Sequence, residues 1–224
     1  MIKEKILSSK LIWRLSGLSY RTAVIATRGS YMPKELYLYR SKNQMQQLSK
    51  YFNDTKRALE FGCGIGGNLL GVSDSIKEGV GDINPLFIRQ ANKLKKLAGK
   101  KNIYFISYDG KIFPTLGKFN TIFSIGVFER IPKKEVIYYL TNLNEYLDKD
   151  GVMMLYFLSE RVKKTQFVKR LGENSYVYWS QSDIMDFVKQ LNLEIIDKFP
   201  WYGDLQEWET TEDSHADMYI FQRL

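Results

Sequence analysis

The stretch from Arg57 to Gly71, Arg-Ala-Leu-Glu-Phe-Gly-Cys-Gly-Ile-Gly-Gly-Asn-Leu-Leu-Gly, constrains this chain more than any other. A short apolar strand, Ala58 to Phe61, is expected to run into a turn crowded with Gly62, Gly64, Gly66 and Gly67, and a helix to open near Asn68. Glycines at such a joint accept positive φ and let the backbone approach a ligand with no Cβ in the way. Amides at the helix start add a site for polar or anionic groups. Strand, glycine turn and helix in that order predict a nucleotide-binding turn. Two patterns fit the same residues. Gly62-x-Gly64-x-x-Gly67 satisfies the dinucleotide fingerprint, in which the turn holds a pyrophosphate. Acidic-x-Gly-x-Gly-x-Gly is satisfied as well, with Glu60 ahead of Gly62, Gly64 and Gly66.

Glu60 favours the second pattern. A carboxylate at the end of the strand repels a pyrophosphate and attracts a ligand that carries an ammonium and a sulfonium. On these residues the chain resembles the class I S-adenosylmethionine-dependent methyltransferases of the small-molecule type, whose first motif has this form. The resemblance covers about Lys56 to Leu224, and its first two motifs are the specific ones.

Downstream, strands and helices alternate. A second strand, Gly79–Gly81, ends at Asp82; Asn84-Pro85 starts a helix that runs to Leu97 and stops at Gly99. Further strands are expected at Ile103–Ser107, Phe119–Ile125 and Val152–Leu158, the last entered by a turn at Asp150-Gly151 after a helix over Glu135–Leu147. Ser180 is positioned to cap a helix, Gln181–Leu191, with Asp183 three residues on. Glu194–Phe199 and Met218–Gln222 read as a sixth and a seventh strand. Alternation of this kind means a parallel sheet with both faces covered. The expected fold is α/β: a Rossmann-like, seven-stranded, mostly parallel sheet with helices on both faces. Residues 1–55 form an N-terminal helical extension and residues 56–224 the catalytic domain. The extension includes a helix from Pro33 to Phe52 with Leu36, Met45, Leu48 and Phe52 on one face. In the resembling family such helices form a lid; packing against the sheet is the plainer role open to them.

Open parallel sheets bind ligands at the carboxyl ends of their strands. Glu60, Asp82, Asp109 and Ser124 each terminate one of the first four expected strands. Asp82 follows Gly62 by about the twenty residues expected of a ribose-binding acid. The resemblance places Ile83 against the adenine, gives Asp109, with Gly110 beside it, the adenine amino group, and runs Ser124-Ile125-Gly126 past the methionine portion. The implied cofactor set is Glu60, Gly62, Gly64, Gly66, Asp82, Ile83, Asp109, Gly110 and Ser124. Plainer roles exist: Asp82 can cap the next helix, and Asp109 can start a turn. No metal is called for.

The acceptor side is less constrained. If the sixth strand is parallel to the first five, the connection from Pro200 to Asp217 overhangs the cofactor edge, as does Ser159–Ser180. One brings Trp201, Tyr202, Asp204, Trp208 and His215; the other brings Trp179 and the basic residues Arg161, Lys163, Lys164, Lys169 and Arg170. An aromatic wall with a basic rim suits a ring-shaped or anionic acceptor, and packing aromatics with solvated lysines are the alternative. Glu129, Trp201 and Tyr202 are the candidate acceptor-binding residues. His215, the single histidine, is the candidate general base. In-line methyl transfer mainly requires alignment and exclusion of water, so a base is optional for neutral amines and more useful for hydroxyls. Two departures from the resembling family stand out: Asn120 where Asp is frequent, and Arg130 where many members carry His.

Composition narrows the partners. A net charge of +8 admits nucleic acid, anionic lipid or an anionic small substrate. Cys63 is misplaced for cytosine methylation, and Ser124–Phe128 lacks the Pro-Pro-aromatic signature of base-amine methylation; DNA is therefore not expected. The single cysteine allows no internal disulfide and suits the cytoplasm. No apolar run is long enough to span a bilayer. The expected function is S-adenosylmethionine-dependent methyl transfer to O or N of a small molecule or saccharide. RNA methylation, a nicotinamide-dependent oxidoreductase and a non-catalytic cofactor-binding subunit are the rival readings. Oligomeric state is not readable.

Overall fold

The structure, a computed structural model, describes residues 15–28, 30–53, 55–83, 85–107, 117–159, 166–168, 176–201 and 216–224, without the side chains of residues 82, 83, 166–168 and 176. The elements are α1 (Tyr20–Arg28), α2 (Lys34–Gln46), β1 (Arg57–Glu60), α3 (Gly67–Gly71), β2 (Glu78–Ile83), α4 (Pro85–Leu97), β3 (Ile103–Ser107), β4 (Phe119–Ser124), α5 (Lys133–Tyr146), β5 (Leu147–Leu158), β6 (Gln166–Val168), β7 (Tyr176–Tyr178), α6 (Gln181–Gln190), β8 (Leu193–Pro200) and β9 (Ala216–Arg223). Seven strands form one sheet in the order β3-β2-β1-β4-β5-β9-β8, and β6 and β7 form a separate antiparallel ribbon. The chain gathers into two compact units, Met1–Pro114 and Thr115–Leu224.

In the first unit β1, β2 and β3 are parallel, with Glu60 opposite Gly81 and Asp82 opposite Ile106. The apolar positions of β1, Ala58 and Leu59, are fully buried. Ser19 opens α1 by accepting a hydrogen bond from the Thr22 N–H at 3.1 Å, the usual work of a serine at that position. α2 opens one residue later than expected, with Pro33 at the cap position and not in the first turn, and ends at Gln46. The inward face of α2 differs from the expected stripe: Tyr37, Ser41, Gln44 and Met45 are buried, whereas Leu36 is 39% exposed. Leu48 and Phe52 are buried as expected, but in and around a short 3-10 turn at Ser49–Tyr51 rather than on α2 itself.

In the second unit β4 and β5 are parallel, and β9 is antiparallel to both β5 and β8. β8 therefore runs in the same direction as β5, which satisfies the condition set for the sixth strand. β5 begins at Leu147, five residues before the expected start. Phe119 pairs with Leu147 and Thr121 with Val152, so the expected Asp150-Gly151 turn is an irregularity inside the strand. Asn120 Nδ2 donates to Asp148 Oδ2 at 3.2 Å across it, which gives the first of the two departures a structural role. Ser180 caps α6 as read from the sequence: its Oγ accepts from the Asp183 N–H at 3.3 Å and donates to Asp183 Oδ2 at 2.9 Å. Among the described residues no helix is long and apolar enough to cross a membrane.

Candidate functional site

Glu60 closes β1 with a side chain that is 1% exposed, and both its oxygens accept from α3. Oε1 takes Asn68 Nδ2 and Oε2 takes the Leu69 N–H, each at 3.0 Å. The residue before α3 is Gly66, which has no side chain to offer the orphan amides of the first turn. The strand's carboxylate supplies that acceptor instead. Gly66 has φ of 82°, a left-handed backbone, and an added Cβ would run into the Phe105 ring. At Gly67 a Cβ would collide with Tyr37 Oη and Ser41 Oγ of α2. The third glycine of the dinucleotide pattern is thus required by a helix packed against it.

Asn68 extends the connection. Its Oδ1 accepts from Arg28 Nη2 at 3.1 Å, and the same guanidinium donates to Gln44 Oε1 at 2.8 Å and Ser41 Oγ at 3.2 Å. It also lies 5.4 Å over the Tyr37 ring. Burial raises the Tyr37 phenol above its ordinary range, against the pull of Arg28. The γ-methyl of Thr27 in α1 comes to 3.0 Å from where a Cβ on Gly64 would stand. Helices α1 and α2 are therefore fastened onto the glycine turn. Arg28 and Asn68 were not singled out in the sequence; Asn68 had only its place after the turn as a signal, and Arg28 none beyond its charge.

The turn fits an S-adenosylmethionine molecule. Cys63 and Ile65 point inward and are buried, so the partly exposed positions, Gly62 and Gly64, present bare backbone. A carboxylate lies at the base of the turn, as a cationic ligand needs. The cofactor, when bound, supplies a methyl group already activated by its sulfonium. Asp82 and Ile83 close β2 at the carboxyl end, and their side chains lie outside the described part. Asp109, Gly110, Tyr202 and His215 lie outside the described residues, as do Arg161, Lys163, Lys164, Lys169 and Arg170.

In the second unit Ser124 ends β4, fully buried. Gly126 follows with φ of 76°, and a short 3-10 turn spans Phe128–Arg130. The Phe128 ring stacks on Phe157 at 5.8 Å, and its carbonyl accepts from Trp179 Nε1 at 3.4 Å. Trp179 is fully buried and packs edge-on against Phe157 and Phe187, so it belongs to the core and not to an aromatic wall. This clamp fixes Glu129, which is 6% exposed. Glu129 Oε1 lies 3.6 Å from where a Cβ on Gly126 would be, and 3.8 Å from Arg130 Nε. Oε2 has no hydrogen-bond partner among the described residues. Burial pushes its carboxyl up to about 7, against small opposing effects of a backbone hydrogen bond and Arg130.

At the end of β8 Trp201 is buried, 6.5 Å from the Phe199 ring, and its N–H donates to the Ala216 carbonyl at 2.8 Å. Asp217 accepts from Ser159 Oγ at 2.8 Å and pairs with Lys198 at 2.9 Å. These bonds tie together the two ends of the connection that carries His215. A cleft of about 470 Å³ opens at the opposite, amino-terminal end of these strands, among Asn144, Lys149, Asn192 and Arg223. It has no bearing on the carboxyl-edge chemistry.

A sheet in this order, with a glycine turn after its first strand and an acid at that strand's end, defines the class I S-adenosylmethionine-dependent methyltransferases. The chain belongs to the methyltransferase-domain family, whose model matches residues 34–198. It is an S-adenosylmethionine-dependent methyltransferase, EC 2.1.1.-. Solved structures share the fold at low identity. A S-adenosylmethionine-dependent methyltransferase from Clostridium acetobutylicum is 14% identical with a TM-score of 0.66, over 89% of this chain and 95% of that one. The glycopeptide N-methyltransferase MtfA with sinefungin is 10% identical, TM-score 0.65, over 82% and 87%. Magnesium protoporphyrin IX methyltransferase from Synechocystis with bound S-adenosylmethionine is 13% identical, TM-score 0.64, over 100% and 96%. No curated protein matches the sequence.

Proposed function

We propose that the enzyme moves the methyl group to an oxygen or nitrogen atom of a small molecule or saccharide, in the cytoplasm. The observation that carries this reading is Glu129: a clamped, buried carboxyl just beyond the carboxyl end of β4, with one oxygen that has no partner among the described residues. Buried polar atoms are nearly always paired, so one left open is suited to a bound polar group. Relatives in fold include enzymes named for glycopeptide and magnesium protoporphyrin IX acceptors, which supports a small acceptor. In this reading Glu60, Gly62, Gly64, Gly66, Asp82, Ile83, Asp109, Gly110 and Ser124 hold the cofactor. Glu129, Trp201 and Tyr202 meet the acceptor, His215 is a candidate base, and residues 1–55 act as a lid.

The test is transfer of labelled methyl from S-adenosylmethionine to D-glucosamine, D-fucose, catechol and a structured RNA in parallel. Incorporation into one of the small acceptors, with only weak and steeply salt-dependent RNA binding, is the expected result. The net charge of +8 gives RNA its standing as the rival. Methylation of the RNA at physiological salt, with none of the small acceptors modified, would overturn the proposal.

A further inference from the structure

We infer that Glu129, through Oε2, is the group that takes the proton from the acceptor atom as that atom is methylated. This rests on the small-acceptor reading above and says which residue of that site does the acid–base work. Three geometric observations converge on it. The carboxyl stands on the turn that follows β4, at the edge where parallel sheets bind ligands. Its backbone is held by the Phe128–Phe157 stack and by the Trp179 hydrogen bond to the Phe128 carbonyl, so the side chain is placed by the core. One oxygen, buried, has no partner among the described residues, while Gly126 puts no side chain of its own beside the other, 3.6 Å from where its Cβ would be.

The surroundings suit the task. Arg130, 3.8 Å away at Nε, is the charged group near it among the described residues, too far for a hydrogen bond that would lock the carboxylate. Among the described residues the elements packed most closely on the turn are β5 and β7. β7 brings tyrosines as its titratable residues; β5 brings Tyr156, with Asp148, Lys149 and Asp150 at its far end. Burial raises the carboxyl to about 7, which is where a general base is most effective near neutral pH. A carboxyl of ordinary strength would be a poorer proton acceptor.

The step balances as follows. The acceptor's oxygen or nitrogen gives a lone pair to the methyl carbon, and the bond from that carbon to sulfur breaks with its electrons going to sulfur. The proton on the acceptor atom passes to Glu129 Oε2 and later to solvent. No further reagent is needed.

The experiment has two arms. In the first, the full chain saturated with S-adenosylhomocysteine is titrated from pH 5 to 9 by infrared difference spectroscopy. A protonated carboxyl that ionises near pH 7 is expected in the wild type and absent from Glu129→Gln, with S-adenosylhomocysteine affinity within about threefold. In the second, methyl transfer to D-glucosamine, D-fucose and catechol is followed over the same pH range. Wild-type turnover should rise to a plateau with a midpoint near 7; Glu129→Gln should lose about 100-fold or more in kcat and the inflection with it. A wild type with no carboxyl ionising near neutrality overturns the inference. So does a Gln variant with the wild-type rate and inflection, or an inflection abolished by His215→Ala and kept in Glu129→Gln. Should the label go only to RNA, the small-acceptor reading fails, and the infrared arm still decides whether Glu129 is the near-neutral carboxyl.

Discussion

Among the described residues two carboxyls are buried at carboxyl ends of strands, Glu60 as the last residue of β1 and Glu129 after β4, and they differ in their partners. Glu60 accepts two hydrogen bonds, each worth about 1.5–3 kcal/mol to an ionised acceptor. Those bonds bind strand to helix. Glu129 Oε2 has no partner among the described residues, and burial favours its neutral form. The sign of the resulting pH dependence follows. The folded chain holds the Glu129 proton up to about 7, whereas an unfolded glutamate releases it near 4.5. Between those values the folded state binds more protons, so stability contributed by this group is full below the unfolded value and is lost as pH rises to 7. The loss is on the order of 3 kcal/mol. Urea unfolding at pH 5 and pH 8 should show the Glu129→Gln variant losing less stability over this interval than the wild type. Equal losses would mean that Glu129 is not the buried neutral acid described. Both glutamates were legible as site candidates, because each stands beside a glycine turn at a strand end. Their different partners were not, since these depend on whether donors such as Asn68 and Leu69 reach the carboxylate.

Elements with regular periodicity were legible, and those whose packing is polar were not. β3 matches its expected span, and β1, β2, β4 and α4 differ by a residue or two at their ends. α2 escaped a correct reading of its face because two of its four buried residues, Ser41 and Gln44, are partners of Arg28 and carry no hydrophobic signal. The β6–β7 ribbon, three residues to a strand, is too short to show alternation. β5 began earlier than expected because the Asp148–Gly151 stretch reads as a turn and is held in the strand by its neighbour, Asn120. That contact argues the next prediction. Asn120→Asp would place a second carboxylate 3.2 Å from Asp148 Oδ2, replacing a donor with a like charge. The variant should be destabilised by about 1–3 kcal/mol near neutral pH and recover as acid protonates one of the pair. Thermal unfolding at pH 4 and pH 7 would show it; a variant as stable as the wild type at pH 7 would mean the bond holds nothing.

At the scale of the molecule, strand–helix alternation announced a seven-stranded, mostly parallel sheet, whereas its order and the direction of β8, only a condition in the sequence, depend on β9 pairing antiparallel between β5 and β8. The work of the N-terminal helices was not announced, since lid and simple packing predict the same sequence. The Arg28 network separates them. The guanidinium joins α1 to Gln44 and Ser41 of α2 and to Asn68 beside the glycine turn, and Asn68 in turn holds Glu60. If the helices serve the cofactor, ligand binding and helix order share free energy, and each must favour the other equally. S-adenosylhomocysteine at 100 times its dissociation constant should then stabilise the wild type by about 2.7 kcal/mol and slow amide exchange in α1 and α2 as well as in the turn. Arg28→Ala removes hydrogen bonds worth about 0.5–1.5 kcal/mol each, so affinity should fall up to roughly tenfold and the added protection of α1 should vanish. Calorimetry with hydrogen exchange on both proteins measures the two effects together. If the variant binds with wild-type affinity while α1 exchanges faster with and without ligand, the helices only pack on the turn, and the lid is excluded.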